Sequence, residues 1–351
     1  MATGKTYSGR QFKVLLGLAD NNAGSSLGEV GADTQDANCT TSSKVYMRVD
    51  SPLNDVAWDA GYNRAEIERA GTRGLRAEDV INHYGSGVWT WDFSYVADKK
   101  QAIHNLLHLV YPNTASAVAT ALTINPTTDS VIDYQHGNDD AVDRCGVIII
   151  DNPNDAKDRY LHSAILQNLT IAMDIGTNGG RPTLSGQFMT GYKPIIEANT
   201  VAVDTNGGNS DWALGLFDCG THTFGGAGGA YDVSVKSFSM TIDNPATRVG
   251  FQGGSGEADG YSRNSAVKVT GDIVFKADAT AQAYLESKWQ GNVTVPIVIE
   301  KDATFSINIP SANISAYAMD MADDGVFINC SWTATLGEDD VSALAVIKMT
   351  E

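Results

Sequence analysis

Several stretches of the chain alternate apolar and polar residues with a period of two, the pattern of a β-strand with one buried face. The clearest are residues 88–95, 183–190, 233–243, 268–275 and 326–336. In the last of these, Ile328, Cys330 and Trp332 fall on one face, and Asn329 and Ser331 fall on the other. This pattern, with 35 glycines and 9 prolines, predicts a mainly β protein.

Two segments show the period of an amphipathic helix instead. Each follows an Ala-Asp pair, and the aspartates, Asp98 and Asp278, are suitable N-caps. The apolar stripes are Ile103, Leu106, Leu107 and Val110 in the first segment, and Ala281, Tyr284, Leu285 and Trp289 in the second. Pro112 and Gly291 are placed to end the two helices. The sequence therefore predicts two short helices, each directly after a strand.

These strand and helix patterns occur twice, which indicates an internal repeat. Residues 268–275 lie 180 positions after residues 88–95, and Ala172-Met173-Asp174 reappears as Ala318-Met319-Asp320 at an offset of 146. The smaller offset predicts an insertion in the first copy, at about residues 113–160. The polar run 204–209 fits a break between copies. We therefore predict two domains, residues 1–199 and 200–351, each a β-rich unit with one helix.

Composition and charge narrow the class of protein. The 351 residues include 42 acidic and 24 basic side chains, a net charge of −18, and no basic patch for gripping nucleic-acid phosphates. No apolar run approaches the length of a membrane span, and residues 14–19 are too few for a signal peptide. We expect a protein that is made and kept soluble inside a cell. The cysteines are far apart and are expected to be free thiols; they are Cys39, Cys145, Cys219 and Cys330.

Candidate chemistry is sparse. His104 and His108 are spaced to bind a metal side by side, but Asn105 stands where a metalloprotease has glutamate, so two polar residues on the outer helix face are expected. The glycine-rich runs 225–229 and 253–256 lack the following lysine of a nucleotide loop. The acidic pairs at 139–140, 323–324 and 339–340 are expected to be solvated turns. We expect no catalysis, no metal and no cofactor.

The second copy resembles a known family. Its run Val235-Lys236-Ser237-Phe238-Ser239-Met240-Thr241-Ile242-Asp243-Asn244-Pro245 continues through Arg248-Val249-Gly250 to the strand and helix described above, and later to Asp323-Asp324-Gly325-Val326. This order is similar to that of the tail tube proteins of long, non-contractile-tailed bacteriophages. The resemblance covers residues 233–340 best, and residues 45–191 through the internal repeat.

The resemblance implies a fold and an assembly. It implies two tandem β-sandwich or rolled-sheet domains, each flanked by one helix, whose inner sheets join between chains into a large β-barrel ring. Rings stack into a tube through which double-stranded DNA passes without specific binding. Two domains per chain imply a ring of three chains, a pseudo-hexamer; a ring of six chains with one half outside is the alternative. Further partners would be the tape-measure, tail terminator and baseplate proteins, and the protein would be assembled in the host cytoplasm and located in the virion tail.

Two groups of residues follow as candidates within this picture. The residues expected to face the lumen are Ser237, Ser239, Thr241, Asn329, Ser331, Thr333 and Thr335, although an ordinary wet sheet face explains them equally well. A polar loop at residues 19–43 is expected to contact the neighbouring ring, through Asp20, Glu29, Asp33 and Asp36. The alternatives are another phage structural protein, for capsid decoration or the baseplate, and a carbohydrate-binding or glycoside-cleaving β-protein.

Overall fold

The structure is a computed structural model, and it describes part of the chain. The described residues are 12–20, 45–49, 62–66, 80–84, 88–111, 122–126, 133–135, 144–151, 157–198, 214–224, 231–250, 258, 260–263, 265–302, 305–322, 325–336 and 343–349. Most described residues lie in antiparallel strands, so the prediction of a mainly β protein is confirmed.

The elements of the first half of the chain are β1 (Lys13–Asp20), β2 (Val45–Met47), β3 (Tyr62–Glu66), β4 (Val80–Tyr84), β5 (Trp89–Val96), α1 (Lys100–Val110), β6 (Leu122–Ile124), β7 (Asp133–Gln135), β8 (Arg144–Asp151), β9 (Lys157–Asp174), β10 (Thr183–Thr190) and β11 (Ile195–Ala198). Those of the second half are β12 (Thr221–Phe224), β13 (Tyr231–Asp232), β14 (Val235–Asp243), β15 (Thr247–Val249), β16 (Gly260–Ser262), β17 (Lys268–Lys276), α2 (Ala279–Gln290), β18 (Val295–Asp302), β19 (Phe305–Ala322), β20 (Gly325–Ala334) and β21 (Ala345–Met349). Two 3-10 turns are Asn178–Gly180 and Leu216–Asp218.

The same order of elements occurs twice. In the first half the chain passes from β5 through α1 to β8, β9 and β10, and the strands lie side by side as β8-β9-β10-β5. In the second half it passes from β17 through α2 to β18, β19 and β20, in the spatial order β18-β19-β20-β17. We call these sets the first unit and the second unit. Because β8 has β18 as its counterpart, the later part of the predicted insertion 113–160 belongs to the first unit.

Strand β14 joins the two units into one sheet. It pairs with β17 of the second unit on one side and with β9 of the first unit on the other. Two short strands between α1 and β8 also cross over, because β6 pairs with β21 and β7 pairs with β16. The main apolar core accordingly contains buried side chains from both units.

The two helices differ in how deeply they are buried. Helix α1 lies against β9, β1, β2 and β8, and nearly all of its side chains are buried. The interpretation of His104 and His108 as an outer helix face was therefore wrong, since His108 lies in the interior. Helix α2 buries only Ala281 and Leu285, and its predicted stripe residue Trp289 is exposed.

Of the two predicted N-caps, Asp278 caps its helix and Asp98 does not. The Asp278 carboxylate accepts hydrogen bonds from the backbone N–H groups of Thr280 and Ala281, as expected of an N-cap. Asp98 does not cap α1. Its carboxylate accepts a hydrogen bond from the Tyr95 hydroxyl at 2.6 Å and lies 3.3 Å from the Arg48 guanidinium, and α1 begins without a side-chain cap. The carboxylate thus serves a local tertiary contact instead of the helix end.

Candidate assembly surface

One face of the joined sheet is lined by small polar side chains. Seven strands run side by side across both units in the order β5-β10-β9-β14-β17-β20-β19. Because side chains alternate across a strand, one face carries the core and the other is polar. One row of directly paired positions crosses all seven strands and holds only hydroxyl or amide side chains. We call it the polar row: Ser94, Ser185, Thr170, Thr241, Thr270, Thr333 and Asn313.

Side-chain hydrogen bonds link neighbouring strands on this face. The hydroxyls of Thr170 and Thr241 lie 2.8 Å apart, across the junction between β9 and β14. One pair further along, the Ser331 hydroxyl donates to the Asp272 carboxylate at 2.6 Å. Cross-strand pairs of this kind each contribute about 0.2–1 kcal/mol. They help to fix the register of the strands on this face.

The structure brings most of the residues predicted to face a lumen together on this surface. Thr241 and Thr333 belong to the polar row, and Ser239 and Ser331 flank Asp272 in the next row. Ser237 and Asn329 flank Val274 in the row after that. Thr335 follows β20, and its backbone N–H donates to the Ser311 carbonyl at 2.8 Å. That the face meets DNA stays a prediction.

Several charged side chains lie in the two rows next to the polar row. The carboxylates there are Asp92, which accepts a hydrogen bond from the Gln187 amide at 2.8 Å, Asp243 and Asp272. Lys268 lies directly opposite Asp243, so their charges offset each other. Sequence patterns identified the strands but missed Asp92, Gln187 and Asp272, because only strand order shows which alternating faces coincide.

Of the loop predicted at residues 19–43, the structure describes only residues 19 and 20. Asp20 is the last residue of β1 and pairs with Arg144 of β8, so it belongs to a strand instead of to the loop. Glu29, Asp33 and Asp36 lie outside the described residues. The same holds for Cys39, the two glycine-rich runs and the three acidic pairs at 139–140, 323–324 and 339–340.

The second half of β19 is an edge of the sheet. Strands β9 and β19 have 18 residues each, and in both the second half pairs with the following strand, β10 or β20. The other side of β9 there is covered by β14, but no described strand pairs with the corresponding side of β19. As a result, Met173 of β9 is 1% exposed, and its sequence counterpart Met319 is 48% exposed.

A patch of large side chains surrounds this edge, and we call it the edge patch: Trp289, Tyr317, Met319 and Met321. The Trp289 and Tyr317 rings stack with centroids 6.0 Å apart, and the Gln282 amide of α2 approaches the Met319 sulfur at 3.5 Å. The Tyr317 hydroxyl donates to the Glu286 carboxylate at 3.2 Å; burial, followed by the nearby Glu286 charge, raises the pKa of Tyr317 to about 12. Met321 is 84% exposed. Exposed apolar edges of this kind mark interaction surfaces.

Buried polar contacts connect residues of the second half of the chain to the C-terminal end of α1. The Arg263 guanidinium donates to the carbonyls of Leu109, at 3.1 Å, Leu166, at 2.9 Å, and Asn244. The Asn244 amide donates to the Val110 carbonyl at 2.9 Å. The last carbonyls of a helix have no partner within the helix, so these residues from the second half of the chain complete the end of α1.

Burial shifts the ionisation of His162 and of the Cys330 thiol. Burial lowers the pKa of His162 to about 4, and its Nε2 lies 3.1 Å from the Lys193 carbonyl. Burial raises the pKa of the Cys330 thiol to about 12, and Cys145, Cys219 and Cys330 are buried thiols outside any disulfide in the described part of the chain. Within the described residues, no three histidine, cysteine or acidic side chains are grouped so as to hold a metal ion.

Comparisons with known proteins provide no family for the chain. Neither the protein-family models nor the curated proteins contain a match to it. Of the helices in the described part of the chain, none is both long and apolar enough to cross a membrane. The polar face, the edge patch and the likeness of the two units are the features of the chain that bear on its function.

Proposed function

We propose that this protein is a structural virion protein, the tail tube subunit of a long-tailed bacteriophage, and that its function is self-assembly. The observation that carries the proposal is the polar row, which crosses seven strands of two like units joined edge to edge. A sheet that already joins two units by strand pairing is suited to continue into a neighbouring chain in the same way. Closure of such a sheet into a ring removes its edges.

The polar face suits the inner wall of a tube that conducts DNA. Duplex DNA carries one negative charge per about 1.7 Å of its axis, so a wall rich in lysine and arginine would retain it. A row of hydroxyl and amide groups flanked by Asp92 and Asp272 offers no such attraction. The net charge of −18 acts in the same direction.

The number of strands sets the expected symmetry. Barrel diameter increases with strand number, and three chains that each contribute the seven strands of the polar row would build a wide barrel with six like units. We therefore propose a ring of three chains, a pseudo-hexamer, that stacks into a tube. The remaining partners proposed are the tape-measure protein within the tube, the terminator at the capsid end and the baseplate at the tip, with the virion tail as the location.

Negative-stain electron microscopy of the purified protein, with light scattering on the same fraction, tests this function. We expect rings or tubes with a central hole, built from a unit with the mass of three chains. Rings with the mass of six chains would keep the function and change the symmetry. Closed trimers that never stack would indicate a capsid decoration protein. Saccharide binding without any oligomer would refute the proposal in favour of a carbohydrate-binding protein.

A further inference from the structure

We infer that the edge patch and the second half of β19 bind the first unit of a second copy of this chain, head to tail, on the side where β5 carries Val49. The inference rests on the proposed function, since it identifies the joint by which a ring would grow. Its evidence is the joint that the chain already contains between its own two units.

The internal joint shows what covers the equivalent strand. In the first unit, β14 pairs with β9 so that Phe238 lies opposite Met173 and Ser239 lies opposite Ala172. The corresponding residues of β19 are Met319 and Ala318, which lie beside Ile328 and Asn329 of β20 but have no described strand on their other side. The same sequence, Ala-Met-Asp, thus lies in the middle of the sheet in one unit and at its edge in the other.

The opposite end of the sheet presents the matching surface. In the second unit, β14 covers the side of β17 that faces away from β20, and Val235 pairs with Phe275 at one end of that contact. In the first unit, the equivalent side of β5 has one described strand pairing, the isolated bridge between Val49 and Tyr95. Val49 therefore lies on the side of β5 that corresponds to the side of β17 covered by β14, and no other described strand pairs with that side of β5.

The two ends differ, so the contact is between unlike surfaces. In the internal joint, β9 of the first unit meets the second unit. In the proposed joint, β19 of one chain takes the position of β9, and the first unit of the next chain takes the position of the second unit. A contact between unlike surfaces builds a ring when its rotation closes, and an open filament otherwise. Methionine and aromatic side chains suit such a contact, because methionine adapts its shape and aromatic residues contribute most of the binding free energy at interfaces.

The experiment compares the wild-type chain with a double variant, Met319→Lys and Met321→Lys. Met321 is 84% exposed and Met319 is 48% exposed, so we expect the variant to keep the circular dichroism spectrum and melting temperature of the wild type. Ile196→Lys is the matched control, because Ile196 is 54% exposed on a different strand, β11. We expect the wild type and the control to form rings in sedimentation velocity, and the double variant to lose at least tenfold in ring formation.

Two further readouts separate the joint from a general loss of solubility or folding. Amide hydrogen exchange of residues 315–321 should slow at least tenfold in wild-type rings relative to unassembled chains. The double variant retains its first unit, so adding it in equal amount to the wild type should yield incomplete rings. If adding the double variant leaves ring assembly of the wild type unchanged, the head-to-tail arrangement is contradicted.

The outcomes distinguish this inference from the proposed function. If the double variant forms normal rings, or if residues 315–321 exchange equally fast in rings and in single chains, the joint is elsewhere and the tube function stands. If Ile196→Lys abolishes rings as fully as the double variant does, the effect is not specific to the edge patch and the inference fails. If the wild type forms no rings at any concentration, the proposed function and the joint are both refuted.

Discussion

Replacing Arg263 by methionine should destabilise the contact between the second half of the chain and the first unit. The guanidinium is 6% exposed and donates to three carbonyls, those of Leu109, Leu166 and Asn244. These carbonyls lie on α1, on β9 and at the end of β14, which are three separate elements. Methionine keeps much of the side-chain volume but removes every donor.

The expected magnitude follows from the groups left behind. A buried carbonyl without a partner costs about 1–3 kcal/mol, and three would cost several kcal/mol. Removing a buried positive charge offsets part of this, because the desolvation of an ion in a protein costs several kcal/mol. We therefore expect the free energy of unfolding to fall by about 2–4 kcal/mol.

Urea unfolding followed by circular dichroism and tryptophan fluorescence measures the effect. Because Arg263 connects α1 and β9 of the first unit to the end of β14, the strand that joins the units, we expect one transition in the wild type and two in the variant. Arg181→Met is the control, since Arg181 is exposed. A loss below about 0.5 kcal/mol with one unchanged transition would refute the argument, because surface substitutions have effects of that size.

Three further predictions concern the core, acid stability and the polar face. Gly271→Ala should cost about 1–3 kcal/mol in urea unfolding, because its Cβ would lie 2.0 Å from the Ser239 carbonyl oxygen and 2.4 Å from the Trp332 ring, whereas Gly220→Ala, with nothing within 4 Å, should cost little. Burial lowers the pKa of His162 from an ordinary 6.5 to about 4, so the contribution of the neutral ring to the free energy of unfolding is complete above pH 6.5 and falls by up to about 3 kcal/mol as the pH drops towards 4. His162→Gln should make the free energy of unfolding depend less on pH in this range. An unchanged pH dependence would contradict this assignment. Ser331→Lys with Thr333→Lys should leave assembly intact but slow genome ejection, and unchanged ejection would mean that this face does not meet DNA.

Sequence periodicity was sufficient to find the strands whose two faces differ. Residues 183–190 coincide with β10, and residues 268–275 lie within β17, because each has one face in the core and one polar face. The Gly291 end of α2 and the Asp278 cap were also predicted, since both depend on local backbone hydrogen bonds. Such features depend on residues that are close together in the chain, so they can be predicted from one sequence.

Long-range partners could not be read from the pattern. The residues of β6 and β7 lie in the predicted insertion, yet their strand partners, β21 and β16, come from the second half of the chain. Arg263 gave no signal either, because its three acceptors are backbone carbonyls that any residue provides. Apolar residues on both faces of β1 obscured that strand as well, since Leu15 and Leu16 are buried in different clusters.

The internal repeat is faint in the sequence because the two units fill the same space with different residues. Trp91 of β5 lies opposite Phe188 of β10, with ring centroids 5.7 Å apart. In the second unit the equivalent strands place Gly271 opposite Trp332, so one strand of that pair carries the large side chain and the other carries none. Cores tolerate such exchanges when the total volume is kept.

The differences between the units also give the chain a direction. Helix α1 is enclosed by β1, by β2 and by the residues that end it from the second half, whereas α2 is left open beside the edge patch. Units joined edge to edge leave unlike surfaces at the two ends of a chain, because each unit has one edge at β9 or β19 and the other at β5 or β17. Among the described residues, β14 covers this edge of β9, and no strand covers the corresponding edge of β19. If the proposed joint is correct, we therefore expect chains to add head to tail.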